Sequence, residues 1–250
     1  MNDPDIFDHI VALVFGLFIP VLSGLRSAKA FKTLQLNAWQ RKQFYLSNSL
    51  FLWIVTLVVL VNWWLHQRTG AALGILSLPL LNKTVILLTA LFILLYLLDS
   101  LYTIRNKQEI EKIKEEWKLS APFLPVLQSE LPVYILMCLT AGICEEIIFR
   151  GFLVNYAQSL FAGMQGTIYW AVTVPAIVFA AAHYYQGIKA VLKIALLSIL
   201  FGILFIRSGS LWIVILLHVG VDLFGGLLSI RYLDDDENKT PDDLEQPSGD

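Results

Sequence analysis

The sequence predicts an all-α fold, a polytopic membrane bundle of about seven to eight transmembrane helices, and three observations carry that expectation. Hydrophobic residues make up 57% of the 250 positions. Charged residues are only 15%, against about 25% in an ordinary soluble domain. The apolar residues also gather into runs close to the ~20 residues that a helix needs to cross a bilayer. The formal net charge of −2 says little about partners, because the charges are sorted into the connections; no nucleic-acid partner is expected. Membrane lipids are the expected surroundings of most of the chain.

In chain order the apolar runs lie near 7–25, 48–66, 84–104, 131–155, 168–188, 190–206 and 210–230. The weakly apolar stretch 71–82 reads as an interfacial or re-entrant piece. Met-Asn-Asp-Pro-Asp at the start lacks the basic segment of a cleavable signal, so the first run is expected to be a retained span. Cys138 and Cys144 share one apolar helical pattern. They fit neither a disulfide framework nor a four-ligand zinc site, which leaves core packing as their expected role.

The connections sort by charge. Arg26, Lys29, Lys32, Arg41 and Lys42 follow the first run, and Arg105, Lys107, Lys112, Lys114 and Lys118 follow the third. Lys189 and Lys193 join them, whereas the other side carries only Arg68, Lys83 and Arg207. The positive-inside rule then predicts an outer N-terminus and a cytoplasmic C-terminus. The expected home is the plasma (cytoplasmic) membrane. Residues 105–118 alternate Glu and Lys around a thin stripe of Ile110, Ile113 and Trp117, the pattern of a cytoplasmic surface helix. Pro122, Pro125 and Pro132 break the chain before the fourth run. The expected organisation is a single membrane domain over 1–233, with a motif-bearing core at 131–230. Residues 234–250 form an acidic tail with the composition of a disordered segment.

Three patches place ionisable residues inside apolar runs: Glu145-Glu146 with Arg150, His183 after Phe179, and His218 with Asp222. An unpaired charge near the bilayer centre costs at least ~2.5–3.5 kcal/mol, so such residues are a functional hypothesis by default. Glu146 and Arg150 are four apart and face the same way, the spacing of an intrahelical ion pair. Glu145 is turned about 100° from them, which leaves its carboxylate for chemistry. A buried glutamate and a neutral imidazole from His183 are suited to activating a water against an amide. His218 and Asp222, also four apart, allow two readings. In one they hydrogen-bond a developing oxyanion, which requires Asp222 to be protonated or purely orienting. In the other, Glu145, His183, His218 and Asp222 are ligands of a divalent metal, zinc being the ordinary choice for imidazole plus carboxylate. His9 and His66, near the ends of runs, read as interfacial, and Asp99 as structural or interfacial.

If the fourth span entered at Leu131, Glu145 would lie about 21 Å deep, while His183 would sit near the cytoplasmic edge of the fifth. The two would meet if 121–137 were largely interfacial, the crossing ran nearer 138–160, and the helix of His183 continued to Lys189. Gly220, Gly225 and Gly226 are expected to thin the last span for close helix approach. The residues would then line a cavity open to the cytoplasm.

Glu145-Glu146-Ile147-Ile148-Phe149-Arg150, Phe179-Ala180-Ala181-Ala182-His183 and His218-Val219-Gly220-Val221-Asp222 resemble the EExxxR, FxxxH and HxxxN/D motifs of the CAAX protease and bacteriocin-processing family. The resemblance covers roughly 131–230, with the motifs in order and in apolar helices. It implies an intramembrane endopeptidase acting on a membrane-associated or lipidated protein or peptide. On that resemblance Glu145 and His183 activate the water, and His218 with Asp222 forms the oxyanion site. Glu146 and Arg150 support them, Phe179 belongs to the second motif, and no cofactor is required unless the metal reading holds. Asp222 stands where the prenyl-protein proteases carry asparagine, a departure that bears on CAAX-tail cleavage. The alternatives are a non-catalytic membrane immunity or scaffold protein and a proton-coupled transporter.

Overall fold

The computed structural model describes residues 3–237, with side chains described as far as Leu233. Within them no strand occurs, and the chain is a bundle of helices. We number these α1 (Ile6–Thr33), α2 (Ala38–Leu65), α3 (Lys83–Arg105), α4 (Lys107–Ser120), α5 (Gln128–Leu160), α6 (Thr167–Ala182), α7 (Ile188–Ser208) and α8 (Trp212–Glu237). Two helices carry a wider π segment, Val14–Phe18 in α1 and Ile147–Val154 in α5. Asp5, Asn37 and Asn82 cap α1, α2 and α3 by accepting hydrogen bonds from first-turn amides.

Side-chain links tie the helices at two ends. At one end Arg41 donates to Glu130 through Nε at 2.6 Å and through Nη2 at 3.2 Å, and the Val126 and Leu127 amides donate to the same carboxylate. There too Ser229 donates to the Pro125 carbonyl, and Lys193 pairs with Asp99. At the other end Arg68 and Asn62 hold the buried Asp8 carboxylate, and Leu80 N–H donates to Ser208 O. Consecutive membrane helices therefore alternate in direction. The basic connections around 26–42, 105–118 and 189–193 all fall at the Arg41 end.

Among the described residues six helices are long and apolar enough to cross a membrane, which corrects the expected seven to eight. The difference is the fifth apolar run. It was expected over 168–188, but α6 stops at Ala182 after 16 residues, about 24 Å of helix. His183 is its C-cap, Tyr184–Gln186 tighten into a 3-10 turn, and Gly187 takes φ 88°, a conformation that turns the chain into α7. The helix of His183 thus does not continue to Lys189. The helix of the fourth run is continuous over 33 residues, Gln128–Leu160, longer than a single crossing requires, so a crossing nearer 138–160 fits within it. Pro132 lies in the first turn of its α-helical part, where a missing N–H is harmless. His183 is brought toward the level of the site by the shortness of α6.

α5 is the central helix. Of its apolar window 56% is buried inside the protein, against 17–28% for the other five spans, whose outer faces present leucines such as Leu94, Leu98 and Leu196. Its core partners include Val59 of α2, Phe179 of α6, Leu204 of α7 and Val214 of α8. Cys138 and Cys144 are free and fully buried there, as packing residues. The 71–82 stretch dips inward at its start: Leu73 is 1% exposed and its carbonyl lies against Gly151 of α5. Of the three glycines expected to allow close approach, only Gly226 does so, where a Cβ would meet the Tyr134 ring at 2.0 Å. A Cβ at Gly220 or Gly225 would meet no atom outside its own helix turn within 4 Å. α4 has no buried residue, as expected of a surface helix, and i,i+3 Glu/Lys pairs run along it. Of the acidic tail, α8 continues through residue 237, and 238–250 lie outside the described residues.

The close contact that sets α6 is at Gly24 of α1, where a Cβ would stand 2.2 Å from the Ala182 carbonyl oxygen and 2.7 Å from its carbon. Backbone cannot yield as a flexible side chain can. Gly24→Ala is expected to destabilise the protein by ~1–3 kcal/mol and to displace His183. Gly220→Ala, facing open space, is the silent comparison in the same thermal-unfolding measurement.

A pH effect is expected at the opposite end. His66 donates from Nδ1 to the Asn62 carbonyl at 2.7 Å and from Nε2 to Asp5 at 2.8 Å, so both ring nitrogens face acceptors. These bonds raise the His66 pKa above its ordinary 6.5, and the His66 bond holds the Asp5 carboxyl below its ordinary 3.8. The tether is complete between those two ordinary values. It is lost as pH rises through the raised histidine value, or falls through the lowered aspartate value. Protection factors of amides in the first turn of α1, corrected for intrinsic exchange, should be lower at about pH 8.5 than at about pH 5.5, and His66→Gln should flatten that difference.

Candidate active site

Glu145 and Glu146 are consecutive on α5, so about 100° of helical rotation sends them to different neighbours. The Glu146 side chain is fully buried, and that of Glu145 is 20% exposed. The π segment begins directly after Glu146 and contains Arg150. Its extra residue widens the turn at the point where α5 must present polar side chains to α7 and α8, a place where π segments often occur.

Glu146 Oε1 accepts two hydrogen bonds. One comes from Arg150 Nη1 at 2.8 Å, the other from His218 Nδ1 at 2.7 Å. Arg150 Nη2 donates to Ser198 Oγ of α7 at 2.8 Å. The guanidinium carbon lies 4.5 Å from the Phe179 ring centre and 5.4 Å from that of Phe201, so the charge is held between two aromatic rings. Glu146 and Arg150 therefore stand as the ion pair that their spacing predicts. The pair also reaches His218, a contact that no spacing within one helix announces.

Because a carboxylate only accepts, His218 donates from Nδ1 and turns Nε2 toward the remaining carboxylates. That nitrogen lies 3.7 Å from Glu145 Oε2 and 3.6 Å from Asp222 Oδ2. Asp222 is the more open of the two, its side chain 31% exposed. Its backbone carbonyl accepts from Tyr134 Oη at 3.0 Å, and the neighbouring Val221 carbonyl accepts from Tyr96 Oη at 3.3 Å. These two tyrosines, from α5 and α3, fix this turn of α8 from either side.

His183, the C-cap of α6, donates from Nδ1 to the Phe179 carbonyl at 2.8 Å, since a carbonyl only accepts. In the neutral ring Nε2 then carries the lone pair. Among the described residues no hydrogen bond or ion pair joins His183 to Glu145. Phe179 links the groups instead, with its ring centre 4.6 Å from that of His183 and 6.0 Å from that of His218. Tyr185 covers the other side of His183 at 5.9 Å and packs on Phe31 and Phe123. All three motifs thus surround one pair of imidazoles, with Phe179 between them.

The metal reading meets a geometric test in the donor spacing. Among the described residues the one trio of ligand atoms within 4.8 Å of one another is Asp5, Asp8 and His66, far along the bundle and already held by Arg68 and Asn62. The donors of Glu145, His183, His218 and Asp222 do not gather in that way, so as placed they do not form a ready metal site.

Sequence reasoning missed Ser198, Tyr134, Tyr96 and Tyr185. Ser198 is a lone hydroxyl in the apolar run of α7. A helical serine can satisfy itself on a carbonyl of its own helix, so it raises no energetic anomaly in the sequence.

The bundle and its cluster define a polytopic helical membrane protein with a buried Glu–Arg–His site. Residues 127–224 match the family model described as "Type II CAAX prenyl endopeptidase Rce1-like", and that segment contains all three motifs. That description agrees with the CAAX protease and bacteriocin-processing family whose motifs the three segments resemble. No curated protein and no solved structure matches the chain.

Proposed function

We propose that this protein is an intramembrane endopeptidase that hydrolyses a peptide bond in a membrane-associated or lipidated protein or peptide. The observation that carries the reading is the ring of His218, held by Glu146 on one nitrogen while the other faces Glu145 and Asp222 at 3.7 and 3.6 Å. Glu145, the partly open carboxylate, takes a proton from the attacking water. His183 accepts from the same water through Nε2 and later passes a proton to the leaving amine. His218 and Asp222 flank the substrate carbonyl and stabilise its developing charge, with Asp222 acting as an orienting group for His218 unless it is itself protonated. Glu146 and Arg150 hold His218, and Phe179 spaces the two imidazoles.

A divalent metal, zinc by donor chemistry, is the alternative for Glu145, His183, His218 and Asp222. The open spacing of those donors favours the reading in which the two side chains activate the water directly. The segregation of basic connections at the Arg41 end supports a cytoplasmic placement of that end and of the C-terminus. The site then draws its substrate from the cytoplasmic leaflet of the plasma membrane.

The test is to incubate the purified protein with prenylated and unmodified CAAX-type peptides, with and without a chelator. The proposal expects chelator-resistant cleavage that favours the lipidated peptides. Absence of cleavage of any of them, from protein shown to be folded, would overturn it in favour of an immunity or scaffold role.

A further inference from the structure

We propose that Ser198 of α7, which lies in none of the three motifs, is a positioning residue that sets the orientation of His218 through Arg150 and Glu146. The inference rests on the endopeptidase reading for its consequence in catalysis but on the geometry alone for the coupling.

The chain of contacts is short and buried throughout. Ser198 is 3% exposed, Arg150 2% and Glu146 0%. The links are 2.8 Å from Arg150 Nη2 to Ser198, 2.8 Å from Nη1 to Glu146 Oε1, and 2.7 Å from His218 Nδ1 to that same oxygen. The other oxygen of Glu146, Oε2, is buried without a hydrogen-bond partner. The carboxylate is therefore held at one atom by two donors, and its torsion is fixed by where Arg150 and His218 stand. Arg150 in turn lies between the Phe179 and Phe201 rings. These confine the guanidinium to a slot but leave it free to turn within that slot. The Ser198 hydroxyl stops the rotation. Among the described residues it is the one hydrogen-bond acceptor on Nη2, and without it a desolvated N–H would turn to seek another acceptor. Any such turn moves Nη1, then Oε1, then the ring of His218.

Ser198 thereby links α7, which supplies no reacting group, to the nitrogen that faces the reaction. Misplacing a group by about 1 Å can cost roughly a hundredfold in rate. A buried residue that acts by orienting another group changes turnover rather than KM.

Two measurements on Ser198→Ala and Ser198→Thr test the coupling. On a prenylated peptide, Ser198→Ala is expected to lower kcat about ten- to a hundredfold with KM unchanged, while Ser198→Thr, which keeps the hydroxyl, stays close to the parent. With histidine-selective nitrogen-15 labelling, and His218 assigned through His218→Gln, Ser198→Ala should shift the His218 Nδ1 resonance and leave His9 and His66 in place. Ser198→Thr should restore it. The nitrogen-15 arm needs no substrate, so it stands even if the protein cleaves none of the peptides. An unmoved His218 resonance in folded Ser198→Ala, or a rise in KM with kcat intact, would overturn the proposal.

Discussion

Glu145→Ala and His183→Ala are each expected to reduce cleavage by at least about a hundredfold while leaving the protein folded and inserted in the membrane. The geometry makes that combination specific to these two positions. The Glu145 side chain is 20% exposed and its nearest ion partner, His218, is 3.7 Å away, so truncation orphans no buried charge. Among the described residues the His183 side chain makes one hydrogen bond, to the Phe179 carbonyl of its own helix end. Losing it frays a turn that already ends there. A large loss of activity with little loss of stability is the signature of groups that act on the reacting atoms. The readouts are turnover of a prenylated peptide and the thermal-unfolding midpoint in detergent.

Glu146→Ala is expected to behave in the opposite way, with stability falling by ~3–5 kcal/mol and activity lost along with it. Its carboxylate is fully buried and accepts from both Arg150 and His218. Removing it strands the Arg150 guanidinium, 2% exposed, with only Ser198 as a hydrogen-bond partner. A buried pair contributes less than its breakage suggests, since two desolvated charges cost much of what their attraction returns. Glu146→Leu combined with Arg150→Met should therefore recover much of the stability lost in Glu146→Ala and none of the activity. Comparing the two unfolding midpoints separates the structural part of the pair from its hold on His218.

Much of this was legible in the sequence because a bilayer penalises polar groups so heavily. Glu145, Glu146, Arg150, His183, His218 and Asp222 stood out against apolar runs, and the structure places them around one cluster. The Glu146–Arg150 pair follows from i,i+4 spacing alone. What the sequence could not show is the length of α6, because 168–188 contains no proline near its end. The stop is made by His183 as C-cap and by Gly187 at φ 88°. That one local conformation sets where α6 ends and so where His183 stands. The glycines were half legible for a similar reason. Gly226 meets Tyr134 and Gly220 meets nothing, a difference fixed by which face of α8 turns toward α5. The Ser198 contact was invisible because a serine in an apolar helix is energetically ordinary.

The central claim is that water activated at Glu145 and His183 attacks a peptide bond. Cleavage of a prenylated peptide in oxygen-18 water, followed by mass spectrometry of the new carboxyl terminus, tests it most directly. The account predicts one oxygen-18 atom in that carboxylate with the parent protein and no product with Glu145→Ala. Product formed by Glu145→Ala at the parent rate, or a new terminus free of oxygen-18, would contradict it.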